Sequence, residues 1–174
     1  KLFNGPNDVW TMDEETIYFT DPLYPRPYWK HRSPEQQLPK RVYRLDKSGE
    51  LTVAADDFEQ PNGIVGDAER KLLLVADIGA KKTYRFTIGD HGQLEDRQLF
   101  CEEGSDGMTL DSEGNLYLTG RGVTVYDRDG KRLGNIPVPQ GWTANVCFGG
   151  PQRNLLFITA SDSVYSLEMN VRGL

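Results

Sequence analysis

The sequence has few of the features that mark several large classes of protein. It has only two cysteines among 174 residues, Cys101 and Cys147, too few for a disulfide scaffold and without the spacing of a metal-binding cluster. Its longest apolar run, 72–76, has five residues, whereas a membrane-spanning helix needs about 20. Positive charge is not in excess, since 20 Lys and Arg stand against 26 Asp and Glu, a net charge of −6. Because nucleic acids and anionic membranes are bound through basic side chains, we expect neither as a partner.

Helical periodicity and several familiar catalytic motifs are also missing. No useful window keeps apolar residues at helical spacing without Gly or Pro, so we expect helices to be few and short. The sequence contains no G-x-S-x-G, phosphate-loop or H-E-x-x-H motif, which leaves covalent serine chemistry without support. The composition leaves the cellular compartment open, cytoplasmic or periplasmic.

What the sequence does contain is a repeat. Four segments share a turn-forming start, a short apolar run, a polar interruption and a second apolar run. They are PNDVWTMDEETIYFTD, PNGIVGDAERKLLLVAD, SDGMTLDSEGNLYLTG and ANVCFGGPQRNLLFITAS. The leading Asn7, Asn62 and Asp106 are 55 and 44 positions apart, a period typical of β-propeller blades.

Further strand-like runs follow each segment and complete four-stranded meanders. β-branched and aromatic residues dominate these runs, and Gly or Asp/Ser pairs separate them. The predicted strands are Arg41–Leu45, Leu51–Ala55, Lys82–Thr87, Arg97–Cys101, Val123–Asp127, Asn135–Val138 and Ser163–Glu168. The fourth unit has only three strands, so we expect its outer strand to come from elsewhere. Residues 1–174 are then the C-terminal part of one larger all-β propeller domain, with about four blades present.

Three oxygen-bearing side chains open the innermost strands of successive blades. Because those strands surround a central channel, Asn7, Asn62 and Asp106 are expected to converge near the axis at one end. Two carboxamides and a carboxylate are hard oxygen donors that suit Ca²⁺ better than Mg²⁺. The alternative is structural, because PND, PNG and SDG are also ordinary turn sequences.

A long proline-rich insertion, 22–39, leaves the same end as Asn7. It interleaves five prolines with Tyr24, Tyr28, Trp29 and His31. Long loops inside compact domains are usually functional or disordered, so this one is interpreted either as a stiff lid over the channel or as a surface arm. His31 is a candidate base or a solvated loop residue. Both cysteines are expected to be small buried apolar groups that do not meet.

Taken together, these segments resemble the gluconolactonase and senescence-marker-protein (regucalcin-like) family of six-bladed propellers. The resemblance runs essentially end to end. It is carried by NGPNDVW with IYFTDP, QPNGIV with VAD, SDGMTLDSEGNLYL, GVTVYDRDGKRLGNIPVP, and TANVCFGG with LFITASDSVYSLEMNVRG. The last two segments look closer to bacterial-type gluconolactonases than to animal regucalcins. The resemblance implies a six-bladed β-propeller of which about four C-terminal blades are present.

The resemblance also implies a divalent metal on the axis, Ca²⁺ first, with Zn²⁺ or Mg²⁺ as alternatives. The family holds it with a glutamate, two asparagines and an aspartate, and Asn7, Asn62 and Asp106 match the last three. In some members the first asparagine mainly contacts substrate, which would make Asn7 a substrate-binding residue. The glutamate belongs to an E-G-P-x-W-like stretch that this chain lacks. Missing N-terminal blades would therefore complete both the ring and the metal site.

The implied reaction is hydrolysis of a sugar lactone. In that reaction the metal polarises the lactone carbonyl, and Asp106, the only ionisable member of the set, takes the proton from water. Arg121, Tyr24 and Trp29 are expected contacts for sugar hydroxyls. Two alternatives stay open: a calcium-dependent phosphotriesterase or aryl-esterase of the same propeller type, and a non-catalytic calcium-binding propeller.

Overall fold

The computed structural model describes residues 1–29 and 35–174, and strands dominate this part of the chain. Fifteen strands form four antiparallel sheets there, which we call blades 1 to 4 in chain order. The described residues form no helix, and so none that could cross a membrane.

The strand bounds follow the chain in order. Blade 1 consists of β1 (Val9–Thr11), β2 (Ile17–Asp21), β3 (Arg41–Leu45) and β4 (Leu51–Ala55). Blade 2 consists of β5 (Pro61–Asp67), β6 (Leu72–Asp77), β7 (Lys82–Ile88) and β8 (Leu94–Cys101). Blade 3 consists of β9 (Met108–Leu110), β10 (Leu116–Gly120), β11 (Gly122–Tyr126) and β12 (Arg132–Ile136). Blade 4 has three strands in the described chain, β13 (Asn145–Gly149), β14 (Leu155–Ala160) and β15 (Ser163–Glu168).

The four blades are arranged as part of a β-propeller, which confirms the fold class predicted from the repeat. The first strands of neighbouring blades contact each other in the order β1, β5, β9 and β13. Residues from all four strands line one cavity of about 230 Å³, among them Trp10, Val65, Thr109 and Cys147. The inner strands therefore surround a common axis.

The apolar core is divided among the interfaces between blades. One cluster, which includes Tyr18, Ile64 and Leu73, fills the space between blades 1 and 2. A second cluster lies between blades 2 and 3, and a third between blades 3 and 4. Blade 2 packs against a neighbouring blade on both of its faces. The residues of β5 and β6 are therefore buried almost throughout, instead of alternating between buried and exposed.

The predicted strands agree with the structure except at a few ends. Blade 3 shows the largest error, since β12 lies at Arg132–Ile136 and not at Asn135–Val138. The RDG turn is tighter than predicted: Gly130 adopts a φ of 81°, and the Asp127 N–H donates to the Lys131 carbonyl at 2.9 Å. Pro137, which has no backbone N–H, then follows the end of the strand.

The two cysteines are both free thiols, as expected. Cys101 is buried at the end of β8, in agreement with the prediction. The same prediction for Cys147 is wrong, because this residue is exposed in β13. Its side chain lines the axial cavity and not an interface between two blades.

Candidate functional site

Asn62 opens the inner strand of blade 2 from within a β-bulge. Pro61 pairs with Asp77 and Ile64 pairs with Val75, so Asn62 and Gly63 together oppose a single residue of β6. Bulges of this kind re-aim a side chain and are common beside active sites. The Asn62 carbonyl accepts a hydrogen bond from Thr20 Oγ1 at 2.8 Å, which ties this bulge to blade 1.

The Asn62 side chain is almost completely buried, with 3% of its surface exposed. Its Nδ2 donates to the hydroxyl of Tyr24 at 2.7 Å. The described part of the chain provides no hydrogen bond to Oδ1, the other end of the amide. Asn62 therefore retains one oxygen that is available to a ligand.

Asp106 lies next to this bulge, just before β9. A methyl group on Gly63 would lie closer than 3 Å to the Asp106 carbonyl, so the two segments are in close contact. The Asp106 side chain is half-buried. Its Oδ2 accepts a hydrogen bond from Trp142 Nε1 at 3.3 Å. The structure thus brings the backbone segments of Asn62 and Asp106 into contact.

The charge of Asp106 also acts on two neighbouring side chains. Burial is the main cause that raises the pKa of Tyr24, and the Asp106 carboxylate adds to it while the bond from Asn62 opposes it. Tyr24 is therefore a neutral hydroxyl at pH 7. Burial likewise raises the pKa of Asp8, against two hydrogen bonds from the backbone, and Asp106 contributes to this rise. Both effects place Asp8, Tyr24 and Asp106 within electrostatic range of one another.

Asp8 is a residue of this site that the sequence analysis missed. Its Oδ2 accepts from the backbone N–H of Ile64 at 3.0 Å, a contact that joins the inner strands of blades 1 and 2. Its Oδ1 accepts from Val9 N at 2.9 Å. The sequence did contain a signal for Asp8. The third residue is glycine in PNG and in SDG, and PND has Asp8 at this position of the repeat instead.

Asn145 is a second residue that the sequence analysis missed. In blade 4 it holds the position that Asp8 holds in blade 1. A methyl group on Gly107 would lie closer than 3 Å to the Asn145 Oδ1. The same oxygen accepts from Val146 N at 2.8 Å. Blade 4 therefore also places a carboxamide beside the opening segment of its neighbour.

Asn7 occupies a different environment from Asn62 and Asp106. It is exposed, and its backbone N–H donates to the Thr20 carbonyl at 2.9 Å. The structure describes no hydrogen bond of its side chain. Asn7 is next to Asp8 in the chain, so it lies at the same end of the axis with its amide open to solvent.

Two buried aspartates position the segments that carry the asparagines. Asp77, 1% exposed, accepts from Glu59 N and Gln60 N, both at 2.8 Å. Asp21 accepts in the same way from the backbone of Asn4 and Gly5, at 3.0 and 2.7 Å. In blades 1 and 2 a carboxylate at the end of the second strand thus fixes the backbone just before the inner strand.

The first part of the proline-rich insertion lies against blade 2. In addition to the Tyr24 contact, the carbonyl of Leu23 accepts from Gln60 Nε2 at 2.8 Å. Trp29 is half-buried, and its N–H donates to the Arg26 carbonyl at 3.0 Å. His31 lies outside the described residues.

Arg121 is exposed in the turn between β10 and β11. It lines a cavity whose other residues include Glu103, Arg132 and Asn135, which come from the outer part of blade 3 and the end of blade 2. Arg121 therefore has a different set of neighbours from Asn62 and Asp106.

Comparison with known proteins gives one family. The model of the SMP-30/Gluconolactonase/LRE-like region matches residues 1–162. The chain belongs to this family.

Named relatives and solved structures agree with this assignment. A gluconolactonase from Zymomonas mobilis is 27% identical over 99% of this chain and 52% of its own length. The X-ray structure of a candidate gluconolactonase superposes with a TM-score of 0.89 at 33% identity, over 100% of this chain and 61% of the other. The structure of a gluconolactonase from Xanthomonas campestris gives 0.81 at 32% identity, over 97% and 58%. The chain thus spans about half the length of the curated relative and about three fifths of the solved structures.

The SMP-30/gluconolactonase resemblance implies a divalent cation, and the donor atoms here suit one. Within residues 1–29 and 35–174 no group of three His, Cys, Asp or Glu side chains could hold a metal. A site in this part of the chain would therefore use carboxamide oxygens together with a carboxylate. Asn62 Oδ1 and the Asp106 carboxylate supply such donors, and Ca²⁺ accepts uncharged amide oxygens readily.

Proposed function

We propose that the protein containing this chain is a metal-dependent hydrolase that opens sugar lactones. Membership of the SMP-30/gluconolactonase family and the names of its relatives support the substrate class. The observation that carries the proposal is the juxtaposition of Asn62 and Asp106, which open successive inner strands and each keep an oxygen without a hydrogen bond in the described chain. A buried neutral oxygen donor and a half-buried carboxylate in neighbouring segments suit a hard cation and a polar substrate.

Asp106 is the side chain of this site that can act as a general base. Trp142 Nε1 donates to its Oδ2, which leaves Oδ1 to accept a proton from a water molecule that attacks the lactone carbonyl. The Asn62 amide cannot act as a base and serves as a neutral oxygen donor. We assign the exposed Asn7 amide to hydrogen bonds with substrate hydroxyls.

Asn62, Asp106 and Asn7 are the residues that would hold a divalent cation, with Ca²⁺ as the expected ion. Such an ion supplies Lewis-acid polarisation of the lactone carbonyl and stabilises negative charge on its oxygen. The buried surroundings of Asn62 strengthen electrostatic interactions at this point relative to bulk water.

The proposal is tested by following lactone ring opening with a pH indicator, using the intact protein. We expect glucono-lactone hydrolysis that EDTA abolishes and Ca²⁺ restores, and much weaker turnover of a phosphotriester. Asp106→Asn keeps the shape of the side chain and removes the base, so kcat should fall by about 10²-fold or more. The exposed Glu69→Gln variant is the matched control and should not change kcat.

Three results would count against the proposal. Unchanged turnover in EDTA would reject the metal role, and preference for the phosphotriester would reject the substrate class. Normal folding and cation binding without hydrolysis of either substrate would indicate a non-catalytic propeller.

We further propose that residues 1–174 belong to a single propeller domain with additional blades. β15 is the outer strand of blade 4 in the described chain, and its Val164 side chain is 69% exposed. In blades 1 to 3 a fourth strand pairs with the third, so we expect a further strand to pair with β15. Limited proteolysis of the intact protein should then leave this chain protected within one larger fragment, whereas release of 1–174 alone would contradict the idea.

A further inference from the structure

Each of the two axial oxygen donors contacts an aromatic side chain from a different loop. Tyr24, in the segment after β2, accepts from Asn62 Nδ2 at 2.7 Å. Trp142, in the segment between β12 and β13, donates to Asp106 Oδ2 at 3.3 Å. Tyr24 belongs to blade 1 and contacts a donor of blade 2, whereas Trp142 lies between blades 3 and 4 and contacts the donor that opens blade 3.

In the structure the Nδ2 end of the Asn62 amide faces Tyr24, so Oδ1 is the end that remains for a ligand. The backbone of Asn62 is already held by Thr20 Oγ1, so the side-chain torsion is the remaining freedom. The hydrogen bond to Tyr24 directs the amide nitrogen toward the loop and the oxygen away from it. A reversed amide would present N–H groups to a cation, which cannot ligate it.

Tyr24 is itself held in place by its surroundings. The preceding carbonyl, of Leu23, accepts from Gln60 Nε2 at 2.8 Å. The guanidinium of Arg26 lies 5.6 Å from the centre of the Tyr24 ring, within the range of a cation–π interaction. These contacts hold the hydroxyl within hydrogen-bond distance of the amide nitrogen.

Trp142 has the complementary chemistry. An indole N–H can only donate, so it recognises a carboxylate oxygen and leaves the second oxygen of Asp106 unoccupied. The following residue, Thr143, is fully buried and binds the turn between β10 and β11, accepting from Gly120 N at 2.9 Å and donating to the Gly122 carbonyl at 2.6 Å. This clamp fixes the backbone from which the half-exposed indole extends.

We infer that Tyr24 and Trp142 are positioning residues that orient Asn62 Oδ1 and Asp106 Oδ1 toward a shared cation. The inference rests on the proposed function, because it concerns the same axial site. It assigns Tyr24 a role through Asn62 that is distinct from the sugar contact predicted for it from the sequence.

The test measures Ca²⁺ binding to the intact protein by isothermal titration calorimetry. Loss of a partner that orients a metal ligand typically weakens metal affinity 10- to 100-fold, and we expect Tyr24→Phe and Trp142→Phe each to raise the Kd for Ca²⁺ by about that factor. Tyr28→Phe, a variant of a 72% exposed tyrosine in the same loop, is the matched control and should leave the Kd within about twofold.

A second measurement separates orientation of the amide from packing of the loop. In an Asn62→Asp background both side-chain oxygens are equivalent donors, so adding Tyr24→Phe should no longer weaken Ca²⁺ binding. Tryptophan emission provides an independent signature: its change on Ca²⁺ addition should become smaller in Trp142→Phe and persist, with a shifted midpoint, in Tyr24→Phe.

Wild-type affinity in both Tyr24→Phe and Trp142→Phe would overturn the inference while leaving the proposed function intact. An equal loss from Tyr24→Phe in the Asn62→Asp background would overturn the role of Tyr24 in orienting the amide. If the wild-type protein binds no Ca²⁺, the metal role in the proposed function fails and this inference fails with it. Far-ultraviolet circular dichroism identifies any variant that does not fold. If one of Tyr24→Phe and Trp142→Phe fails to fold, the Ca²⁺ affinity of the other tests the inference.

Discussion

Replacing Gly63 with alanine should disturb both axial donors at once. The new Cβ would lie well inside 3.0 Å of the Asp106 carbonyl oxygen and 3.1 Å from two atoms of the Met108 side chain. The methionine can move, but the carbonyl belongs to the backbone of a neighbouring inner strand. Relief of the contact therefore requires blades 2 and 3 to separate locally by roughly 0.7 Å or more.

The size of the effect follows from this displacement. Overpacking of a well-packed site costs typically ~1–3 kcal/mol, so the free energy of unfolding should fall by about that amount. Because a 1 Å misplacement at an active site can cost ~10²-fold, a shift of about 0.7 Å should lower kcat/KM for the lactone roughly 25-fold. Gly63 has no left-handed φ, so backbone strain does not add to this effect.

Urea unfolding and lactone hydrolysis of the intact protein measure the two quantities. Gly134→Ala in β12 is the matched control, because a methyl group there meets nothing within 4 Å. We expect it to change stability by less than about 0.5 kcal/mol and to leave kcat/KM unchanged. If Gly63→Ala behaves like Gly134→Ala in both assays, the close approach of Gly63 to the Asp106 carbonyl is wrong.

Three further predictions concern the supports of the site and the core. Asp77→Asn removes an acceptor from the backbone N–H groups just before Asn62 and should lower the free energy of urea unfolding by ~1–3 kcal/mol; an unchanged value would contradict this role. Leu116→Ala, at a fully buried position between blades 2 and 3, should cost ~2–5 kcal/mol in the same assay, and a loss near zero would argue against a packed interface there. Burial raises the pKa of Cys101 to about 11, so only about 10⁻³ of it is thiolate at pH 8. Peptide mass spectrometry after native iodoacetamide treatment at pH 8 should find Cys147 modified and Cys101 intact, and the reverse pattern would refute the assignment.

Much of the fold could be predicted because its signals are local. Alternating β-branched and aromatic residues define strands, and pairs such as RDG define turns, so the repeat and its propeller class followed from short segments. The error at β12 has the same local origin: the conformation of Gly130 starts the strand earlier than the apolar pattern suggests. Asn62 and Asp106 were predictable because each opens a unit of the repeat.

The rest of the site could not be predicted because its contacts join distant positions. Tyr24 and Asn62 are 38 residues apart, and Trp142 and Asp106 are 36 apart. Nothing in the local pattern of WTAN or PLYP indicates these partners. Asp8 was overlooked because its role depends on a backbone N–H of the next blade.

The sequence by itself therefore determined the strands, their grouping into blades and the end at which the oxygen donors lie, because strand alternation and turn chemistry act over a few residues. Tertiary structure alone decided which atoms of those donors are engaged. That decision depends on the bulge at Asn62, the close approach at Gly63 and two aromatic side chains from separate loops, which become neighbours only when the blades pack around the axis.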